Sequence, residues 1–226
     1  MKDFSVTITK KTNIADRVFE IQTTKPQDFT FQAGQFVQWY IPGEEERPIF
    51  RSYSLSSAPH DTYIEFCIKL LPGGKASTMI EQAAVGDTLN FRGPNGRFTN
   101  TQTEHNLSFI ATGTGIAPII GIIRDELEYK KNTHNIHVLF GVRTTADIFW
   151  QQKFQELTTQ YPNFTYHICL SQDEHEQCKK GRVTTHIESK PHTNYFLCGN
   201  RDMVMEVRNT LIEKNIPTTN IHFEIF

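Results

Sequence analysis

The chain has 226 residues, of which 38% are hydrophobic and 21% charged, and its formal net charge is −2. That length allows one large or two smaller globular domains, and the near-neutral charge excludes a general nucleic-acid binder, which needs clustered Lys and Arg. The opening MKDFSVTITKKTN lacks an apolar run of signal-peptide length and no later stretch suits a bilayer span, so a cytoplasmic chain with no membrane and no nucleic-acid partner is expected.

From residue 4 to about 98 the pattern is of short alternating runs cut by turns: FSVTITKKT, RVFEIQTT, FVQWYIP, YIEFCIKLL and DTLNFRG, separated by QAG, PGEEERP, APHDT, PGGK and GPNG. Strands at this spacing predict an antiparallel barrel or sandwich. ASTMIEQA (76–83) reads as a short amphipathic helix. After the polar TNTQTEHN (99–106) the rhythm changes. LSFIAT (107–112), NIHVLFGV (135–142), FTYHICLS (164–171), NYFLCG (194–199) and IHFEIF (221–226) read as strands. IIGIIRDELEYK, DIFWQQKFQELTTQY (147–161) and the acid-led DMVMEVRNTLIEKN read as helices. Such alternation predicts βαβ units on a parallel sheet. The expected organisation is therefore an all-β domain over 1–102 and an α/β domain over 103–226.

Four stretches carry chemistry. In RSYS (51–54) strand periodicity puts Arg51 and Tyr53 on one face, either as side chains snorkelling from a barrel wall or as a platform for a flat, phosphate-bearing ligand. In ATGTGIAP (111–118) a strand ends, two glycines allow a tight turn, and a helix opens with Pro118 in its first turn. Free N–H groups at such a helix start suit a pyrophosphate. PGGKAST (72–78) repeats the theme in the first domain, as an anion site or as a hairpin loop with a Ser77/Thr78 cap. LCG (197–199) ends a strand where parallel sheets place ligands.

The four cysteines, Cys67, Cys169, Cys178 and Cys198, include no C-x-x-C pair, so no iron–sulfur cluster of the chain's own is expected and the thiols read as reduced. The nine histidines, including HNIH (134–137) and HEQC (175–178), read as solvated surface, and no metal site is expected.

Taken in order, AGQFV, RSYSLSS, PGGKAST, GPNGRF, ATGTGIAP, LFGVRTTADIFW, LCGNRDM and the final FEIF resemble the ferredoxin–NADP reductase superfamily across essentially the whole chain. The resemblance implies a flavin-binding antiparallel β-barrel followed by a Rossmann-like nicotinamide-nucleotide domain. It implies FAD, with Tyr53 packed on the flavin ring, Arg51 on its phosphate, and Gly74, Lys75, Ala76 and Ser77 at its pyrophosphate. Ser54, Cys198 and Glu224 match positions at the hydride-transfer site. Gly113, Thr114, Gly115 and Pro118 match the nicotinamide-nucleotide turn, and Phe226 matches a terminal aromatic that covers the flavin in some members.

The same resemblance implies an NADPH- or NADH-dependent reductase that hands electrons to a separate ferredoxin, flavodoxin or oxygenase component. Arg143 and Arg182 match places for a 2′-phosphate, which calls for cations. Ser171-Gln172 stands where many NADP-using relatives have Ser-Arg, with Lys179 and Lys180 nearby to compensate. The balance leans to NADPH. Two rival expectations are a reductase acting on free flavin and a non-catalytic flavin- or nucleotide-binding regulatory module.

Overall fold

A computed structural model describes residues 2–41, 49–102 and 104–226. The expected turn PGEEERP (42–48) and the first residue of the expected second domain, Thr103, lie outside the described residues.

The first half forms one six-stranded antiparallel sheet. Its strands are β1 (Lys2–Ala15), β2 (Val18–Thr24), β3 (Phe36–Ile41), β4 (Ile49–Ser54), β5 (Tyr63–Lys69) and β6 (Thr88–Asn95), in the order β4-β3-β6-β1-β2-β5. An antiparallel bridge from Leu55, just past β4, to Phe66 on β5 joins the two ends. The sheet is thus a barrel and not a sandwich. β1 makes this possible: its first half pairs with β6 and its second with β2, with irregularities at Ile8/Lys10 and Asn13/Ala15, and such bulges bend a long strand around a corner. Inward residues Val6, Ile21, Val37, Trp39, Ile64, Phe66 and Phe91 fill the interior. Helix α1 (Lys75–Gln82) packs Ala76 and Ile80 on this core.

The second half is a six-stranded parallel sheet ordered β10-β9-β8-β7-β11-β12, from β7 (Asn106–Thr112), β8 (Ile136–Val142), β9 (Phe164–Leu170), β10 (Lys179–Lys180), β11 (Thr193–Gly199) and β12 (Ile221–Ile225). β11 is buried along its entire length, as expected for a strand covered on both faces. Helices α2 (Ile116–Arg124), α3 (Gln151–Gln160) and α4 (Arg201–Glu213) follow their strands. The helix expected over 147–161 starts late. Thr144 and Asp147 form a reciprocal cap on a tight turn at Thr145–Asp147, and Trp150 sits at φ +60°, so regular helix opens only at Gln151.

α2 is buried all round except at Arg124 because it lies between the sheet and the barrel. A Cβ on Gly121 would stand 2.9 Å from the Ser57 carbonyl oxygen, so no larger residue fits without displacing one domain. Val18, Ala33, Cys67 and Phe98 of the first half share one apolar cluster with α2 and the sheet. His137 departs from the solvated reading: it lies half-buried on β8 against His167, and burial followed by the His167 charge pushes its pKa down to about 4. No helix among the described residues is long and apolar enough to cross a membrane, and no group of three or more His, Cys, Asp or Glu among them is placed to hold a metal.

Candidate functional site

The two halves meet where β4 ends and where β7, β11 and β12 end. Along β4, Arg51 and Ser52 are both exposed, Tyr53 is half-buried and Ser54 is buried, so strict alternation breaks at the strand's end. The Tyr53 ring lies 4.8 Å from the Trp39 ring, tilted by 59°, and burial pushes the phenol up to about 12. Arg51 donates to its neighbour's carbonyl, Phe50 O, at 2.9 Å. That leaves an exposed guanidinium beside a fixed aromatic ring.

The Gly73–Gly74 turn leads into α1 as expected, with a different cap. Gly74 is the N-cap and no side chain accepts a hydrogen bond from the first turn. Ser77 Oγ instead accepts from Leu71 N at 2.8 Å, which ties the turn back to the strand before it. Gly74 N donates to Leu71 O at 3.2 Å, and no capping side chain covers the N–H groups of Ala76 and Ser77, an arrangement that suits an anion.

On the other side, β7 runs into a tight turn over Gly113–Gly115 and then α2. Gly113 has φ +54°, a conformation that costs any β-carbon, and a Cβ there would meet no atom within 4 Å. Gly115 serves a different need: its Cβ would stand 2.3 Å from Cys198 O. The turn therefore lies directly against the end of β11. Pro118 is buried in the first turn of α2.

Cys198 is fully buried, and burial followed by the Glu224 carboxylate raises its thiol well above the ordinary range. Glu224, its register partner on β12, reaches the barrel. A Cβ on Gly96 would lie 3.6 Å from Glu224 Oε1 and 3.0 Å from the Phe36 ring. Phe36 is in turn the β-ladder partner of Ser54 on one side and Asn95 on the other. Ser54, Cys198 and Glu224 are thus brought to one interface by four strands from two domains. Burial lifts the Glu224 carboxyl to about 7.

Three buried polar atoms here, Ser54 Oγ, Asn95 Nδ2 and Glu224 Oε2, have no hydrogen-bond partner. Unpaired buried polar atoms are rare and costly, and three at one domain junction fit a heteroaromatic ligand that brings both donors and acceptors. With the Tyr53 ring, the Arg51 cation and the start of α1, which no side chain caps, the donor set fits a flavin nucleotide.

The remaining residues spread outward from this centre. Phe226 is 56% exposed and its N–H donates to Gly199 O at 3.1 Å, anchoring it at the end of β11. Arg143 and Arg182 are exposed at the ends of β8 and β10. Gln172 N donates to Arg143 O at 2.8 Å, so the Ser171-Gln172 segment adjoins Arg143. Lys180 is held in an ion pair with Glu174. Asp173 accepts from Thr145 N and Oγ1 at 3.1 and 2.7 Å, which, with the Glu174 amide, holds its carboxyl below the ordinary range. Sequence reasoning passed over Asn95 and Phe36. The signal was the GPNG turn itself, whose Asn continues the inward register of Leu89, Phe91 and Gly93.

Two family models match: an oxidoreductase FAD-binding domain over residues 5–100 and an oxidoreductase NAD-binding domain over 109–209. The chain belongs to the ferredoxin–NADP reductase superfamily. It carries an FAD-binding barrel and a pyridine-nucleotide-binding α/β domain. It is 30% identical over 211 residues to the electron transfer component of toluate 1,2-dioxygenase from Pseudomonas putida, covering 91% of this chain and 62% of that protein. It is 32% identical over 203 residues to the corresponding component of anthranilate 1,2-dioxygenase from Acinetobacter baylyi, covering 87% and 58%. The chain thus spans about three fifths of the length of these curated relatives. Among solved structures, a cytochrome P450 reductase from Amycolatopsis superposes with a TM-score of 0.89 at 25% identity, over all of this chain and 70% of that one. A ferredoxin NADP+ reductase from Neisseria gonorrhoeae with bound FAD and NADP superposes at 0.88 and 20% identity, over 100% and 99%.

Proposed function

We propose that this superfamily member is an NAD(P)H-dependent FAD reductase that passes electrons to a separate carrier, a ferredoxin, a flavodoxin or an oxygenase component. The observation that carries the reading is the meeting of Ser54, Asn95 and Glu224, each with an unpaired buried polar atom, between two glycine-opened helix starts, one in each domain. The names of the relatives, electron transfer components of dioxygenases, support the choice of acceptor. Absence of cluster-spaced cysteines in this sequence is why the acceptor is assigned to another protein or segment.

In this reading Tyr53 stacks on the flavin ring, Arg51 neutralises its phosphate, and the segment of Gly74, Lys75, Ala76 and Ser77 takes the pyrophosphate. Gly113, Thr114, Gly115 and Pro118 form the turn against which the dinucleotide lies, and Phe226 covers the flavin. Bound FAD supplies the capacity to accept a hydride and release electrons singly. The protein's own part is to hold the two cofactors in register and keep water out. Ser54 Oγ, with no internal partner, is available to the flavin. Glu224, titrating near neutrality, holds or releases a proton at its carboxyl beside the same edge. Cys198, a thiol kept neutral by burial and by Glu224, supplies an uncharged wall and no nucleophile.

Arg143, Arg182 and Lys179 favour NADPH over NADH, although Lys180 is occupied by Glu174. Four cysteines without a disulfide fit a reducing, cytoplasmic setting, and we take 1–102 and 103–226 as the two functional units. The test is a visible absorption spectrum of the purified protein followed by anaerobic titration with NADPH and then NADH. Flavin absorbance bleached by one of them at stoichiometric amounts is the expected result. A protein that binds FAD and is reduced by neither overturns the reading; turnover of added free flavin without retained flavin would instead favour the free-flavin reductase.

A further inference from the structure

Two strand residues look misplaced for their setting. Glu20 in VFEIQTT and Glu65 in YIEFCIK are 4% and 3% exposed, on adjacent strands β2 and β5 where Glu20 pairs with Cys67 and Gln22 with Glu65. Both carboxylates point out of the barrel and are met by α3 of the second domain. Lys153 Nζ donates to Glu20 Oε2 at 2.7 Å and to Glu65 Oε1 at 3.0 Å. Trp150 Nε1 donates to the same Glu20 Oε2 at 2.8 Å, and Lys10 donates to Glu20 Oε1 at 3.1 Å. Burial alone would raise the Glu20 carboxyl, but the bonds from Lys153, Lys10 and Trp150 hold it below the ordinary range. Among the described residues Lys153 is the cation that reaches both acids.

What gives this cluster meaning is what each end is tied to. Ser56 Oγ donates to Glu65 Oε1 at 3.1 Å, Glu65 N donates to Ser57 Oγ at 3.1 Å, and Ser56 N donates to Glu65 O at 2.8 Å. Ser56 and Ser57 follow Ser54 in RSYSLSS with only Leu55 between. At the other end, Trp150 closes the loop that begins at Arg143, whose Thr144–Asp147 cap and Thr145–Asp173 bonds fix it to the end of the sheet. One buried ion cluster therefore connects the segment carrying Ser54 with the loop carrying Arg143. A cleft of about 650 Å³, lined by Ile14, Phe149, Trp150, Lys153 and His175 among others, runs beside it.

We infer that Lys153, clamped between Glu20 and Glu65, is a positioning residue that sets the place of the dinucleotide loop relative to the flavin strand. It touches neither cofactor site and acts through Trp150 on one side and Ser56 and Ser57 on the other. Its relevance to catalysis rests on the function proposed above; the mechanical link does not.

The experiment uses full-length protein and compares wild type with Lys153→Met and Lys153→Arg. Hydrogen exchange is read by mass spectrometry on protein without nucleotide, and anaerobic flavin reduction by stopped flow over a range of NADPH and NADH concentrations. In Lys153→Met, peptides covering 54–57 and 143–150 are expected to lose protection together. The limiting rate of flavin bleaching is expected to fall roughly tenfold or more, as a small misplacement of reacting groups produces, with the concentration for half-maximal rate and the flavin spectrum unchanged. Lys153→Arg should restore both. If Lys153→Met does not fold, the charge-free triple variant Glu20→Gln/Glu65→Gln/Lys153→Met takes its place, since it leaves no buried charge unpaired. Protection lost in α3 alone, or a limiting rate within twofold of wild type, overturns the inference. Wild-type flavin that neither nucleotide reduces defeats the proposed function, and the exchange result then still decides the link.

Discussion

Cys198 and Glu224 are register partners on the parallel strands β11 and β12, and the Glu224 carboxylate adds to burial in raising the cost of ionising the thiol. Burial holds the Glu224 carboxyl at about 7 against an ordinary value of 4.5. A carboxyl raised on folding binds its proton more tightly in the native state. Its contribution is therefore fully present below the unfolded value and is lost as pH rises through the folded one. The window is about pH 4.5–7, and the loss across it is at most about 3 kcal/mol. His137, depressed to about 4 by burial, pulls wild-type stability the opposite way over the same range, so the carboxyl is read by difference. The melting temperature of the flavin-free wild type minus that of Glu224→Gln should fall from pH 5 to 7 and level off above, with the variant the more stable protein at pH 8. Equal slopes for the two proteins would show that the carboxyl is already ionised at pH 5.

The two glycines of the 113–115 turn should respond differently to the same methyl group. Gly115→Ala drives a Cβ to 2.3 Å from a backbone oxygen, which β11 cannot yield without losing its ladder. A loss of stability of about 2 kcal/mol or more is expected. Gly113→Ala meets no protein atom and pays only for its left-handed backbone, about 1 kcal/mol. On the proposed function its methyl stands where the dinucleotide approaches, so NAD(P)H affinity should fall well beyond what the stability change explains. Urea unfolding together with equilibrium nucleotide titration separates the two effects.

Arg51 is exposed and bonded only to a neighbouring carbonyl among the described contacts, so the folded protein should not miss it. Arg51→Ala is expected to leave the flavin-free melting temperature unchanged within error. FAD affinity, read from quenching of flavin fluorescence, should drop about tenfold or more through loss of a charge-assisted phosphate contact. A weaker fold with unchanged FAD affinity would move the phosphate site elsewhere.

The fold was largely legible in the sequence because its signals are local. Alternation in FVQWYIP and YIEFCIKLL marks half-buried strands, continuous apolar runs such as NYFLCG mark parallel ones, and GTG before IAPII marks a turn into a helix. Barrel as against sandwich was legible only through the resemblance and not from the strand pattern, since closure depends on the Leu55–Phe66 bridge between the two edge strands. The proposed hydride-site trio was legible only as a resemblance: Ser54 and Glu224 are brought close through Phe36 and Gly96, a relationship that no spacing encodes. The Glu20–Lys153–Glu65 cluster was missed, although an acid inside each of two apolar strands was a visible anomaly. Its meaning needed the partner helix, 133 residues away from Glu20 in sequence.

A second junction between the domains should carry measurable stability of its own. Arg124 at the end of α2 donates two bonds to Asp61 of the barrel, at 2.6 and 2.9 Å, and two to Glu128 at 3.0 Å. Asp61 also accepts from Ala58 N at 2.8 Å, so its carboxylate fixes the loop after RSYSLSS as well as α2. His60 stacks on Tyr129 beside it at 5.4 Å. Bidentate pairing in a site this shielded, with Asp61 8% exposed, exceeds what an open surface pair yields. Asp61→Asn keeps the shape and removes the charge, leaving Glu128 as the carboxylate that Arg124 bonds. A loss of about 2 kcal/mol in urea unfolding is expected, below the 3–5 kcal/mol typical of fully buried pairs because one partner remains. If the junction also couples the domains, tryptophan fluorescence of the variant should change in two separated transitions, since Trp39 lies in the barrel core and Trp150 at the start of α3 in the second domain. A single transition with less than about 0.5 kcal/mol lost would place this pair with surface bridges of no consequence.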